Sequence, residues 1–205
     1  MKTKRALAPA RAGGYTVIEL LTVVTIVGVL ASIGLPSLGW LAHDLRRSVA
    51  INDLLQAFAG ARSEAAKRGQ DLVVCAVRDH DDDGTLSPAE QHCAGRDWSW
   101  GWMVALWNDA DGDGIATTRE MVPLRIMQSP SFGKVTVEAG NFANSPSLRP
   151  AGSVLIKAFG RRASNGTITF CDKRGSAAAR AVIVASTGRS RVSGLRADGT
   201  PLRCP

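Results

Sequence analysis

The sequence predicts an α+β protein, a long N-terminal helix (transmembrane, then amphipathic) packed on an antiparallel β-sheet head. Three observations carry this. No charged residue occurs over the 23 positions from Leu20 to Ala42. Leu41, Leu45, Val49, Leu55, Phe58 and Ala65 then recur at helical spacing until Gly69. From residue 70 onward, short runs rich in Val, Ile, Thr and Trp alternate with Gly, Pro and Asn, the pattern of strands joined by turns.

Residues 1–14 hold Lys2, Lys4, Arg5 and Arg11, and the positive-inside rule places them in the cytoplasm. As a helix the uncharged run spans about 35 Å at 1.5 Å per residue, enough for a hydrocarbon core of about 30 Å. Residues 15–42 are therefore expected to cross the inner membrane, with the head on the periplasmic or extracellular side. An ordinary signal peptide has a shorter apolar region and is cut at its far end. Here Gly13 and Gly14 stand before the run, and one carboxylate, Glu19, lies just inside it. An ionisable group in a spanning helix is costly. A cut between Gly14 and Tyr15 would create an amine four residues upstream, able to pair with the carboxylate of a neighbouring helix.

Residues 43–69 form the amphipathic half of the helix, with Arg46, Arg47, Asn52, Asp53, Lys67 and Arg68 largely off the apolar stripe. Pro36 is expected to kink the helix, and Gly69 to stop it. Strands are expected at 72–77, 100–107, 121–127, 134–138, 154–159, 167–171 and 181–185, with a short one near 191–195. The segment 139–152, with Asn141, Asn144, Pro146 and Pro150, reads as a connection. Residues 70–205 thus make one head of ordinary domain size.

Charge is unevenly spread. Residues 15–120 hold eight Lys/Arg against 15 Asp/Glu, whereas residues 121–205 hold 13 against three. Such asymmetry suggests a basic face for a polyanion, or a solvated surface without a ligand. All four cysteines lie beyond the uncharged run, and an even count in an oxidising compartment favours disulfides. Three pairings exist; Cys75–Cys93 and Cys171–Cys204 are favoured because each closes a local loop. The rival, zinc held by Cys75, His80, His92 and Cys93, has a spacing that fits no common template. Three histidines and the lack of a nucleophile-elbow or phosphate-loop motif give an enzyme little support.

Gly14-Tyr15-Thr16-Val17-Ile18-Glu19-Leu20-Leu21 resembles the type IV prepilin signal, with Tyr15 in place of the commoner Phe. The resemblance implies cleavage after Gly14 by a prepilin peptidase, methylation of the new terminus, and retention of the apolar helix as the assembly element. Within the head, "DWSWGWMVALWNDADGDG" (97–114) and "NGTITFCDKRGSAAARAVIVASTGRSR" (165–191) resemble the GspH/FimT family of minor pilins and pseudopilins. That resemblance implies a type IV pilin-like fold, partnership with other pilins or pseudopilins, and service in a type IV pilus or a type II secretion pseudopilus. In the FimT branch a Gly-Arg-x-Arg loop is implicated in DNA binding, which carries over to Gly188, Arg189 and Arg191.

Physical chemistry makes sense of that loop. Two guanidinium groups two residues apart in a turn between short strands grip phosphates bidentately and give salt-sensitive affinity for duplex DNA. Lys173, Arg174 and Arg180, with Arg161 and Arg162, are candidates to widen the patch. The competing expectation is a solvated turn, or arginines paired with acidic residues of neighbouring subunits. Trp98, Trp100 and Trp102 alternate onto one face, either to stack single-stranded bases or, as expected, to pack a strand on the long helix.

Two acidic stretches match a calcium-loop template. Asp79, Asp81, Asp83 and Glu90 occupy its first, third, fifth and twelfth positions in one, and Asp109, Asp111, Asp113 and Glu120 in the other. The flanking segments read as strands rather than helices. Calcium as a cofactor and a plain acidic hairpin turn both fit.

Overall fold

Thr16 opens the first helix by accepting the Glu19 backbone N–H on its Oγ1 at 3.3 Å, an N-cap that satisfies one orphan donor of a helix start. From there α1 runs Val17–Arg68 and gives way at Gly69, whose φ of 68° lies in the left-handed region that a side chain resists. The computed structural model describes residues 14–79, 86–87, 90, 92–108, 110–113, 117–128, 135–140, 142, 152–158 and 164–205, without the side chains of residues 33 and 35–38. The chain divides into two compact units, Met1–Ala42 and His43–Pro205.

In the first unit, the large apolar side chains from Tyr15 to Leu30 are each more than half exposed. Among the described residues no helix is long and apolar enough to cross a membrane. The uncharged run passes through positions 33 and 35–38, whose side chains lie outside that description. The helix itself continues through position 36, where the proline kink was expected.

The second unit holds the rest of α1 and eight strands: β1 (Leu72–Ala76), β2 (Gly101–Trp107), β3 (Met121–Gln128), β4 (Thr136–Ala139), β5 (Val154–Ile156), β6 (Gly166–Cys171), β7 (Arg180–Val184) and β8 (Ser190–Ser193). They form two four-stranded sheets rather than one, ordered β3-β2-β1-β5 and β4-β6-β7-β8. Every pairing is antiparallel. One stripe of α1 covers both sheets. Ala50, Leu54, Ala57, Phe58, Ala61 and Ala65 pack with Val74, Val104 and Ile156 of the first sheet and Val137, Ile168, Phe170 and Val182 of the second. Small alanines at three- and four-residue spacing let the helix lie close to the sheets.

The buried stripe begins later than the sequence suggests. Leu45 and Val49 are 56% and 44% exposed, and cover starts at Ala50. Around residue 47, α1 faces the loop after β6, which meets it with ion pairs instead of apolar side chains. Arg47, expected off the stripe, is buried there, 3.4 Å from Asp172.

Trp98 and Trp102 are fully buried in the main core, with the Phe58 and Trp98 rings 6.4 Å apart. They are packing residues, and no stacking platform for bases runs through them. On the opposite face of the first sheet, Val73, Cys75, Met103 and Leu155 form a second cluster with Cys93. Both favoured disulfides are present, Cys75–Cys93 and Cys171–Cys204, with Cα atoms 5.5 and 5.8 Å apart. Among the described residues no cysteine is free, which leaves no thiolate for the zinc alternative.

Candidate nucleic-acid interface and processing site

The basic turn follows from the β7–β8 register. Val184 opposes Ser190, which leaves residues 185–189 to reverse the chain. The Gly188 N–H donates to the Ala185 carbonyl at 2.7 Å, and the Ala185 N–H to the Arg189 carbonyl at 2.8 Å. Gly188 adopts a φ of 73°, and a Cβ there would stand 3.3 Å from Cδ of Arg62. The position needs glycine for backbone conformation, and any larger residue would push the Arg62 side chain as well. Arg189 and Arg191 are exposed, as is Arg62 on α1. Arg62 is the residue that sequence reasoning missed. Its only signal was helical phase: it lies next to the buried Ala61, on a flank of the helix stripe.

Lys173, Arg174 and Arg180 do not join this turn. Arg174 grips Asp172 with two donors, Nε at 2.9 Å and a terminal nitrogen at 2.6 Å. The same terminal nitrogen reaches Asp44 on α1 at 2.8 Å. Arg47 donates to Asp44 at 2.7 Å and also to the Ala178 carbonyl. Two arginines and two aspartates thus close a ring between α1 and the β6–β7 loop. The Arg174 hydrogen bonds, with Arg47 adding charge, hold the Asp172 carboxyl down at about 2, and the Arg174 contact lowers that of Asp44 as well. Burial lowers Arg47, while its acidic partners raise Arg174.

Arg174 works as a structural clamp, because Asp172, two residues before it, satisfies its fork. Arg180 stays exposed and donates to the neighbouring Ala179 carbonyl at 2.9 Å, and Lys173 is exposed. The turn touches α1 at Arg62 and the clamp touches it at Arg47, 15 residues earlier, or about 22 Å along a helix. The single basic patch expected from the sequence is two. Arg161 and Arg162 lie outside the described residues.

At the other end of the chain, Gly14 and Tyr15 are exposed, and Glu19 stands in the first turn of α1. A carboxylate at that place complements the positive end of the helix dipole. Thr16, the cap before it, was not singled out from the sequence, although Thr-x-x-Glu is a capping-box spacing.

Of the acidic loops, Asp81, Asp83 and Asp109 lie outside the described residues. Asp79 and Glu90 are buried, and the Glu90 carboxylate accepts from the backbone N–H and the hydroxyl of Ser87 at 2.9 and 2.6 Å. Glu120 accepts from the N–H and hydroxyl of Thr117, at 3.0 and 2.9 Å, and these bonds lower its pKa. Asp111 accepts the Asp113 N–H at 3.1 Å. Both twelfth-position glutamates thus close short turns. Among the described residues no three His, Cys, Asp or Glu side chains converge as a metal cage.

A helix whose distal half covers antiparallel sheets, preceded by an uncovered apolar stretch, defines the class: a type IV pilin-like subunit. Residues 50–188 match the family model described as type II transport protein GspH, and the chain belongs to that family. Two crystal structures of the type IV minor pilin FimU from Pseudomonas aeruginosa strain PAO1 are similar to it. They show 15% and 16% identity, TM-scores of 0.48 and 0.49, and coverage of 77% of this chain and 99% and 94% of theirs. No curated protein matches the chain at a significant level.

Proposed function

We propose that this chain is a minor filament subunit, cut after Gly14 and anchored in the inner membrane through residues 15–42 until it assembles with other pilins. The observation that carries this reading is the apolar surface from Tyr15 to Leu30, left uncovered by its own chain. Such a face needs lipid or neighbouring helices around it. A prepilin peptidase is the processing partner, and Glu19 pairs with the new terminal amine of an adjacent helix. The test is the intact mass of the protein recovered from membranes: a chain beginning at Tyr15 with a methyl group supports the reading, and one still beginning at Met1 overturns it.

The turn at Gly188 adds a second role, reception of duplex DNA for uptake. Arg62 beside the Gly188 turn supports it, since an exposed guanidinium next to a turn that carries Arg189 and Arg191 adds to the charge offered to a phosphate backbone. The alternative is a pseudopilin of a type II secretion system without DNA binding, which the description of the matching family favours. Gel shifts with the head and duplex DNA at low salt separate the two.

A further inference from the structure

We propose that the end of the second unit around Arg47 is a docking surface for anionic lipid headgroups. The proposal rests on the reading that residues 15–42 enter the membrane. Asp44 and Asp172 are neutralised within the ring they form with Arg47 and Arg174. The exposed cations next to these segments in the chain, Arg46, Lys173, Arg180 and Arg203, stand outside the ring and are therefore surplus charge.

Their placement is fixed by contacts. Arg47 holds the Ala178 carbonyl, and the Cys204 N–H donates to Ser176 Oγ at 2.9 Å. Residues 173–180 and the segment carrying Arg203 are thereby held beside the turn of α1 that follows His43, where the uncharged run has just ended. Duplex DNA is the lesser candidate for this surface, because Arg46 and Arg47 follow the last residue of the uncharged run by four and five positions in the chain, and basic residues next to a spanning segment suit an anionic headgroup layer. Each cation near an anionic surface changes partitioning by about fivefold.

Residues 43–205 contain both sheets, the helix stripe that covers them and both disulfides, so this unit carries its own core. The experiment is flotation of that unit, oxidised, with phosphatidylcholine vesicles with and without phosphatidylglycerol. Binding should require phosphatidylglycerol and fall with salt. The variant Lys173→Gln/Arg180→Gln/Arg203→Gln should lose roughly a hundredfold in partitioning, three fivefold steps, at unchanged melting temperature. Arg46→Gln alone should lose about fivefold, and Arg189→Gln/Arg191→Gln should bind as the parent does. No binding, binding indifferent to phosphatidylglycerol, or equal binding by the triple variant overturns the proposal. Loss of duplex DNA binding in the triple variant, with vesicle binding intact, reassigns the surface to DNA. Carbonate extraction of the full chain separates the two failures: release from membranes sinks the membrane placement, whereas retention with no flotation of the head sinks only this proposal.

Discussion

Arg174 and Asp44 lie 2.8 Å apart although 130 residues separate them in the chain. The contact fastens the β6–β7 loop to α1 at a level where apolar packing has not begun, so the upper part of this interface is electrostatic. Asp172, bound by the same arginine, has its pKa depressed from 3.8 to about 2. A carboxyl whose folded pKa is depressed contributes stability that is complete above the unfolded value and lost as pH falls through the folded one. The head should therefore lose about 2 kcal/mol between pH 4 and pH 2 from this group. Asp172→Asn should remove that part of the acid limb in melts of the head recorded from pH 6 to pH 2. Asp172→Ala should cost more at neutral pH, about 3 kcal/mol, because it leaves Arg47 buried with one counter-charge fewer.

If the chain is cut after Gly14 as proposed, processing should depend on a small residue at the cut. Gly14→Val should leave full-length precursor in the membrane fraction, visible as an uncleaved mass. Glu19→Ala should still be cut, yet reach sheared filaments at a reduced level. Normal filament incorporation of Glu19→Ala would remove the argument for pairing between subunits.

The turn at Gly188 should read phosphates without reading sequence. With three arginines engaged, the slope of log affinity against log salt should approach about −2.7, at −0.9 for each phosphate neutralised. Arg189→Gln/Arg191→Gln should reduce the slope to near −0.9 and abolish most binding, and Arg62→Gln should reduce it by about 0.9. These exposed changes should alter stability by less than about 0.5 kcal/mol. A gel-shift series across salt concentrations checks each value.

Gly188→Ala differs in kind from the arginine changes. Its left-handed backbone and the 3.3 Å approach to Arg62 should cost about 1 kcal/mol in urea melts of the head. The loss should persist with Arg62→Ala if backbone strain dominates, and shrink if crowding does.

Much of the head was legible because its strands alternate or run apolar and its punctuation is strong. The segments around Val74, Val104, Phe170 and Val182 all became strands within a residue or two of expectation. The division into two sheets was not legible, since pairing depends on which strands the α1 stripe gathers, and no local pattern records that. Leu45 and Val49 misled for a related reason: their spacing is helical, but nothing in the sequence says where the sheets begin. At the basic patch, proximity in sequence joined Lys173 and Arg174 to Arg189, whereas the fold sends them to different levels of α1. Arg174 also shows that an arginine two residues from an aspartate is a doubtful free ligand. The half-exposed apolar face of Val17–Leu30 was foreseeable from composition alone.

The Cys171–Cys204 bridge has a mechanical meaning. Tension entering the chain at Cys204 passes straight to Cys171 at the end of β6, and β7, β8 and the basic turn between them lie outside the load path. The sequence separation of 33 residues conceals about 110 Å of extended chain at roughly 3.4 Å per residue. With the bridge reduced, that length becomes available to a pull. Oxidised, a pull applied at Cys204 meets only a short tether.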